Sequence, residues 1–131
     1  MEILLIDGIL DGTILEVDEP LYNTILGYSK NGDSFDTCTY YQWNEEIHIA
    51  QGNLNNVERI LVKMELERDK DDNLIMPRYE ELFDEANKLV REKYKNNKVR
   101  LVDYKTRADT KYGHNKRTDY VIAKFDYYIY R

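Results

Sequence analysis

The sequence predicts an α+β fold: a mostly antiparallel sheet of about six to seven strands, with one long amphipathic helix at about 78–95 packed on one face. Three observations carry this. Residues 57–67 alternate, with Ile60, Val62, Met64 and Leu66 on one side and Lys63, Glu65 and Glu67 on the other, the period of a half-buried strand. Farther on, Tyr79, Leu82, Phe83, Ala86, Leu89, Val90 and Tyr94 recur at spacings of three and four and form one apolar stripe. Residues 118–130 then return to alternation, with Val121, Ala123, Phe125, Tyr127 and Ile129 opposite a tyrosine-rich face that also carries Ile122, Lys124 and Asp126.

In chain order, residues 2–7 read as a first strand. The pairs Asp7-Gly8 and Asp11-Gly12 are turn signals, and residues 13–17 return. Asp18, Glu19 and Pro20 break that strand. A short strand at 24–28 precedes a turn at 30–33, and the β-branched and aromatic run 35–43 suits a longer strand. Residues 46–51 return antiparallel to it, and Gly52-Asn53 and Asn55-Asn56 are loop-like. Pro77 suits the first helical position, where its missing N–H costs little. Glu80, Glu81, Asp84 and Glu85 crowd the helix start, and Lys88, Arg91, Lys93 and Lys95 its end, as the helix dipole favours. Asn96-Asn97 is a stop signal. Strands follow near 98–106 and 118–130.

The chain has 131 residues and is read as a single domain, 1–131. At this size roughly two thirds of the extended chain's surface is buried, enough for a core without a staple. Few Pro and Gly exclude a disordered or collagen-like chain. The lone cysteine, Cys38, cannot form an internal disulfide and points to a reducing, cytoplasm-like compartment. The opening apolar run is too short, and lacks the basic flank, for a signal peptide. No apolar run approaches a membrane span, so no membrane partner is expected.

The net charge of −6 hides a division: residues 1–88 carry 7 basic and 20 acidic side chains, and residues 89–131 carry 12 and 5. An acidic bulk argues against non-specific nucleic-acid binding, because much of the surface repels phosphate. It is compatible with one basic pocket, or with self-association of unlike surfaces.

The basic stretch from Lys105 to Arg117 is the main candidate site. Lys105, Arg107, Lys111, Lys116 and Arg117 surround Tyr112 and His114. If the flanking strands pair, they form a long hairpin tip with converging cations and an aromatic, suited to a nucleotide or other small phosphate ligand. A solvated loop explains the same charges. Glu45, Glu46, Glu65 and Glu67 are the candidate residues for a basic protein partner. Asp69, Asp71, Asn73 and Glu80 partly match a calcium loop, but Leu74 stands where the sharp turn needs glycine. Cys38 and His48 are a weak nucleophile pair, and a small core thiol explains Cys38 as well. No residue is assigned a catalytic or metal-binding role, and no cofactor is expected.

Two resemblances bear on function. Asp103-Tyr104-Lys105 resembles the metal-binding strand of PD-(D/E)XK nucleases, which implies carboxylates holding a divalent metal beside a lysine. That family also uses a second acidic residue on a preceding hairpin, for which the helix leaves no room. The opening from Leu5 to Pro20, with Asp7-Gly8 and Asp11-Gly12, resembles the start of small phage and prophage accessory proteins, as does the aromatic ending Tyr127-Tyr128-Ile129-Tyr130. It implies a binder, some members of that class blocking host defence components. The leading expectation is therefore a non-enzymatic accessory protein in the host cytosol that meets a host protein through its acidic surface. Capture of a phosphate ligand at residues 105–117 is the alternative, and a metal-dependent nuclease a second one. The tyrosine-rich last strand and the split charge together suggest a homodimer.

Overall fold

The computed structural model describes residues 1–19, 24–51 and 53–131. The chain divides into two compact units, Met1–Asn56 and Val57–Arg131. Among the described residues no helix is long and apolar enough to cross a membrane.

The first unit holds β1 (Glu2–Ile6), β2 (Ile14–Glu16), β3 (Ile25–Asn31), β4 (Ser34–Asn44) and β5 (Ile47–Ala50). They form one sheet in the order β2-β1-β5-β4-β3. β1 pairs antiparallel with β2 but parallel with β5, from Leu4↔Ile47 to Ile6↔Ile49. The inner face buries Ile3, Leu5, Cys38, Tyr40 and Ala50. The first turn signal becomes a 3-10 turn, Gly8–Leu10, held over this face by one phenol. The Tyr40 hydroxyl donates to the Asp7 carbonyl at 2.7 Å and accepts the Leu10 amide at 2.8 Å. Gly8 has φ 66°, and a Cβ there would stand 2.6 Å from Cys38 Sγ and 2.9 Å from the Tyr40 oxygen, so only glycine fits. The expected break at Pro20 and the loop residue Gly52 lie outside the described residues. Asn53–Asn56 form a second 3-10 turn.

The second unit holds β6 (Val57–Arg68), β7 (Leu74–Ile75), α1 (Tyr79–Lys93), β8 (Val99–Gly113) and β9 (Lys116–Ile129). The sheet order is β7-β6-β9-β8, all antiparallel. α1 buries Leu82, Ala86 and Val90 against Val62, Leu66, Val121, Ala123, Phe125, Tyr127 and Ile129. Phe83 and Tyr94 lie half-buried at the margin, and Tyr79 and Leu89 are exposed, so the stripe is narrower than its spacing suggests. The helix starts one residue later than expected, because Arg78 is still extended (ψ 151°), and Pro77 stands outside it.

The α+β class stands, but the single sheet of six to seven strands is replaced by two sheets of five and four. Alternation marks each strand without naming its partner, and residues 47–50 turn back to β1, completing a separate sheet. A second correction concerns 107–117. These residues form paired strand almost to the tip, with register kept from Asp103↔Asp126 to Gly113↔Lys116. Only His114 and Asn115 turn, both left-handed (φ 42° and 63°), as a two-residue hairpin of primed type requires.

Candidate functional site

Because β8 and β9 are strands, their side chains sort by parity. Beyond the bulge between Leu101 and Asp103, the even residues of β8 and odd residues of β9 share the helix side: Tyr104↔Phe125, Thr106↔Ala123, Ala108↔Val121, Thr110↔Asp119 and Tyr112↔Arg117. The opposite face carries Lys105↔Lys124, Arg107↔Ile122, Asp109↔Tyr120, Lys111↔Thr118 and Gly113↔Lys116. The candidate residues are thus divided: Lys105, Arg107, Lys111 and Lys116 on one face, Arg117 and Tyr112 on the other, His114 in the turn.

Arg117 is already engaged. Its Nε lies 3.3 Å from Asp119 Oδ1, a carboxylate that also takes Arg68 Nε at 2.9 Å and the Thr110 hydroxyl at 2.7 Å. Arg68 first and Thr110 second hold the Asp119 carboxyl below its ordinary range. Tyr112 is 76 % exposed, and the tip from Tyr112 to Arg117 lines an open hollow.

The open face away from α1 is different. β6 extends it, with Leu61 across from Lys124 and Lys63 across from Ile122. Two adjacent rows therefore read Leu61–Lys124–Lys105 and Lys63–Ile122–Arg107 across β6, β9 and β8. Four cations and two aliphatic side chains share a patch of roughly 7 Å by 10 Å, from the strand rise and spacing. Neither row holds a carboxylate. The acids stand one row beyond on each side: Asp103 and Asp126 with Arg59, and Glu65 and Asp109 with Tyr120. Among the described residues, Lys63, Lys105, Arg107 and Lys124 make no ion pair. Lys63 Nζ instead rests 4.2 Å from the Tyr120 ring centroid, a cation–π contact. Lys105, Thr106, Arg107, Ile122 and Lys124 line a hollow of about 210 Å³. Lys105 and Lys124 are direct cross-strand partners, and like charges in that relation destabilise a sheet. An anion bound between them attracts both ammonium groups and outweighs that repulsion.

No protein family, curated protein or solved structure matches this chain.

The remaining candidates separate. Glu45 and Glu46 lie at the β4–β5 turn of the first unit, whereas Glu65 and Glu67 lie on β6 of the second; neither unit gathers all four. Asp103, at a bulge in β8, caps the Tyr104 amide at 2.9 Å, and its neighbour Asp126 takes Arg59 Nε at 3.0 Å. A guanidinium thus occupies the place beside these carboxylates. Asp69 Oδ1 accepts the amides of Asp71 and Asn73, both at 2.9 Å, so backbone holds the acidic turn. Among the described residues no group of three or more His, Cys, Asp or Glu side chains is placed to hold a metal ion. His48 pairs with Gln42, four residues along β4 from Cys38, about 13 Å of strand, so the two do not meet. β9 lies between β6 and β8 as an inner strand, and of its tyrosines Tyr127 and Tyr128 are buried while Tyr120 and, just past its end, Tyr130 are half-buried.

Lys63, Lys124, Leu61 and Ile122 are the site residues that sequence reasoning missed. The alternation of 57–67 and 118–130 already set the outward positions of Lys63 and Lys124. Their meeting with Lys105 and Arg107 needed the register of three strands.

Proposed function

We infer that the chain acts by binding, and that the open face of the Val57–Arg131 unit holds a phosphate-bearing ligand. The observation that supports this is the carboxylate-free pair of rows, in which Lys105 directly opposes Lys124 beside Arg107 and Lys63. Arg107 supplies a planar fork for two phosphate oxygens, and the lysines supply point charges. Leu61, 57 % exposed, and Ile122 offer apolar surface to the organic part of a ligand. The hairpin site proposed from residues 105–117 thus contracts to Lys105 and Arg107 and widens across the sheet to Lys124 and Lys63.

The test is an NMR titration with inorganic tripolyphosphate. Shifts centred on residues 61–63, 105–107 and 122–124 are expected, with affinity falling as salt rises. Arg107→Ala should weaken binding by about 1.5–3 kcal/mol, the range for hydrogen bonds to charged groups. Shifts confined to the tip at 112–117, or an unchanged affinity in Arg107→Ala, would overturn the assignment.

A second reading rests on the charge of the other unit. Met1–Asn56 carries one lysine against ten acidic residues, a net −9, whereas Val57–Arg131 carries 18 basic and 15 acidic, a net +3. Together with the resemblance of residues 5–20 to phage accessory proteins, this supports a non-enzymatic accessory protein that meets a basic host protein in the host cytosol. On this reading Glu45 and Glu46 contribute from the first unit, and steering by net charge speeds the encounter.

A further inference from the structure

We propose that the outer edge of β3 takes an extended basic segment of another protein as an added strand. The proposal is independent of the phosphate face and rests on the reading of Met1–Asn56 as the dock for a basic partner. β3 is the terminal strand of its sheet. It pairs with β4 over all seven residues, Ile25↔Tyr40 to Asn31↔Ser34, without a bulge. Among the described residues no backbone hydrogen bond reaches β3 except those of its ladder with β4. Sheets protect such edges with proline, charged side chains (lysine above all), bulges, inward charges or short length. β3 carries one of these, Lys30 beside its turn, which leaves residues 25–29 of the edge without one.

Its outward side chains are Leu26, Tyr28 and, beside the turn, Lys30. Leu26 and Tyr28 are each 64 % exposed, and Phe35 of β4, 59 % exposed, meets Tyr28 edge to face with centroids 5.9 Å apart. On the opposite parity Ser29 pairs with Asp36, and Asp33 lies in the β3–β4 turn. An added strand would therefore set apolar side chains beside Leu26 and Tyr28 and, at the turn end next to Ser29, basic ones on the side of Asp36 and Asp33. Main-chain bonds would supply affinity and the alternating side chains selectivity. The unit's charge selects the occupant: a second copy would bring −9 against −9, whereas a basic segment meets its complement.

The experiment uses a ten-residue peptide of alternating valine and lysine, its valine–glutamate counterpart, and amide hydrogen exchange of the full chain. The lysine peptide should bind and slow exchange at residues 25–31, and the glutamate peptide should not bind. Leu26→Lys with Tyr28→Lys should weaken binding by about ten-fold or more, while the amide spectrum of the rest of the chain stays in place and shows that the variant folds. Binding of the lysine peptide elsewhere on Met1–Asn56 would keep the acidic dock and overturn the edge. No binding, or equal binding of both peptides, would overturn both. A wild-type dimer that this double variant dissolves would show a second copy at the edge, and would also overturn the proposal.

Discussion

The two units solve the same packing problem with different means. In Met1–Asn56 a small core of Ile3, Leu5, Cys38, Tyr40 and Ala50 depends on one phenol that ties a 3-10 turn to the sheet through two hydrogen bonds. In Val57–Arg131 a helix covers one sheet face, and Phe125 stands within a ring cluster, 4.8 Å from Tyr104 and 6.2 Å from both Tyr79 and Phe83. In the first unit this polar bridge stands beside further apolar burial at Ile6, Ile47 and Ile49, and β3 is an edge strand of its sheet. The larger sheet has apolar area enough on one face to leave the other for uncompensated cations. The two units thus carry net charges of opposite sign, −9 and +3.

Phe125→Ala is the sharpest way to break the second unit. Deleting a fully buried ring at the centre of the cluster should cost about 3–5 kcal/mol, read by denaturant unfolding with an unchanged m-value. A cost below about 1 kcal/mol would mean that the ring cluster is not the core of this unit.

Tyr40→Phe tests the first unit by a polar route. It removes no carbon, but it leaves the Asp7 carbonyl and the Leu10 amide without their partner. A loss of about 1–3 kcal/mol is expected, with faster amide exchange at residues 7–11. Unaltered exchange there would show that the turn is held by something else.

Alkaline pH probes both units at once. Burial pushes the Tyr40 and Tyr127 phenols up to about 12 from an ordinary value of 10.0. The unfolded chain then loses these protons first as pH rises, so their contribution to stability is complete below pH 10 and falls between pH 10 and about 12. Tyr40→Phe or Tyr127→Phe should flatten that decline, in urea melts at a series of pH values. A decline of equal steepness in both variants would place the titration elsewhere.

Tyr127→Phe carries the smallest effect and the opposite sign. The Tyr127 hydroxyl is buried without a hydrogen-bond partner among the described residues, so deleting it below pH 10 should stabilise the chain by about 1 kcal/mol. A loss of stability would reveal a partner for the hydroxyl.

The difference between the units also decides what could be read from the sequence. The strand at 57–67, the helix and the last strand are legible because each writes its burial into a local period. The extension of β8 to Gly113 was hidden by composition. Lys105, Arg107, Asp109 and Lys111 look like a wet loop, yet they alternate with Thr106, Ala108, Thr110 and Tyr112, and Asn115 supplies the turn. The division into two sheets was not legible, since it rests on the parallel match of Leu4 with Ile47, 43 positions away. The basic face falls between these cases: parity places each cation outward, and only the register of β6, β9 and β8 brings the four together.

Thermal melting of the wild type and of Lys105→Ala with Lys124→Ala, each with and without tripolyphosphate, tests the basic face most directly. If the opposed lysines are kept for an anion, the double variant melts higher than the wild type in its absence, because a like-charge pair is removed. The wild type alone gains stability when the anion is added, by mass action on the folded state. A double variant that melts no higher than the wild type without the anion, or that gains as much from it, would contradict the account.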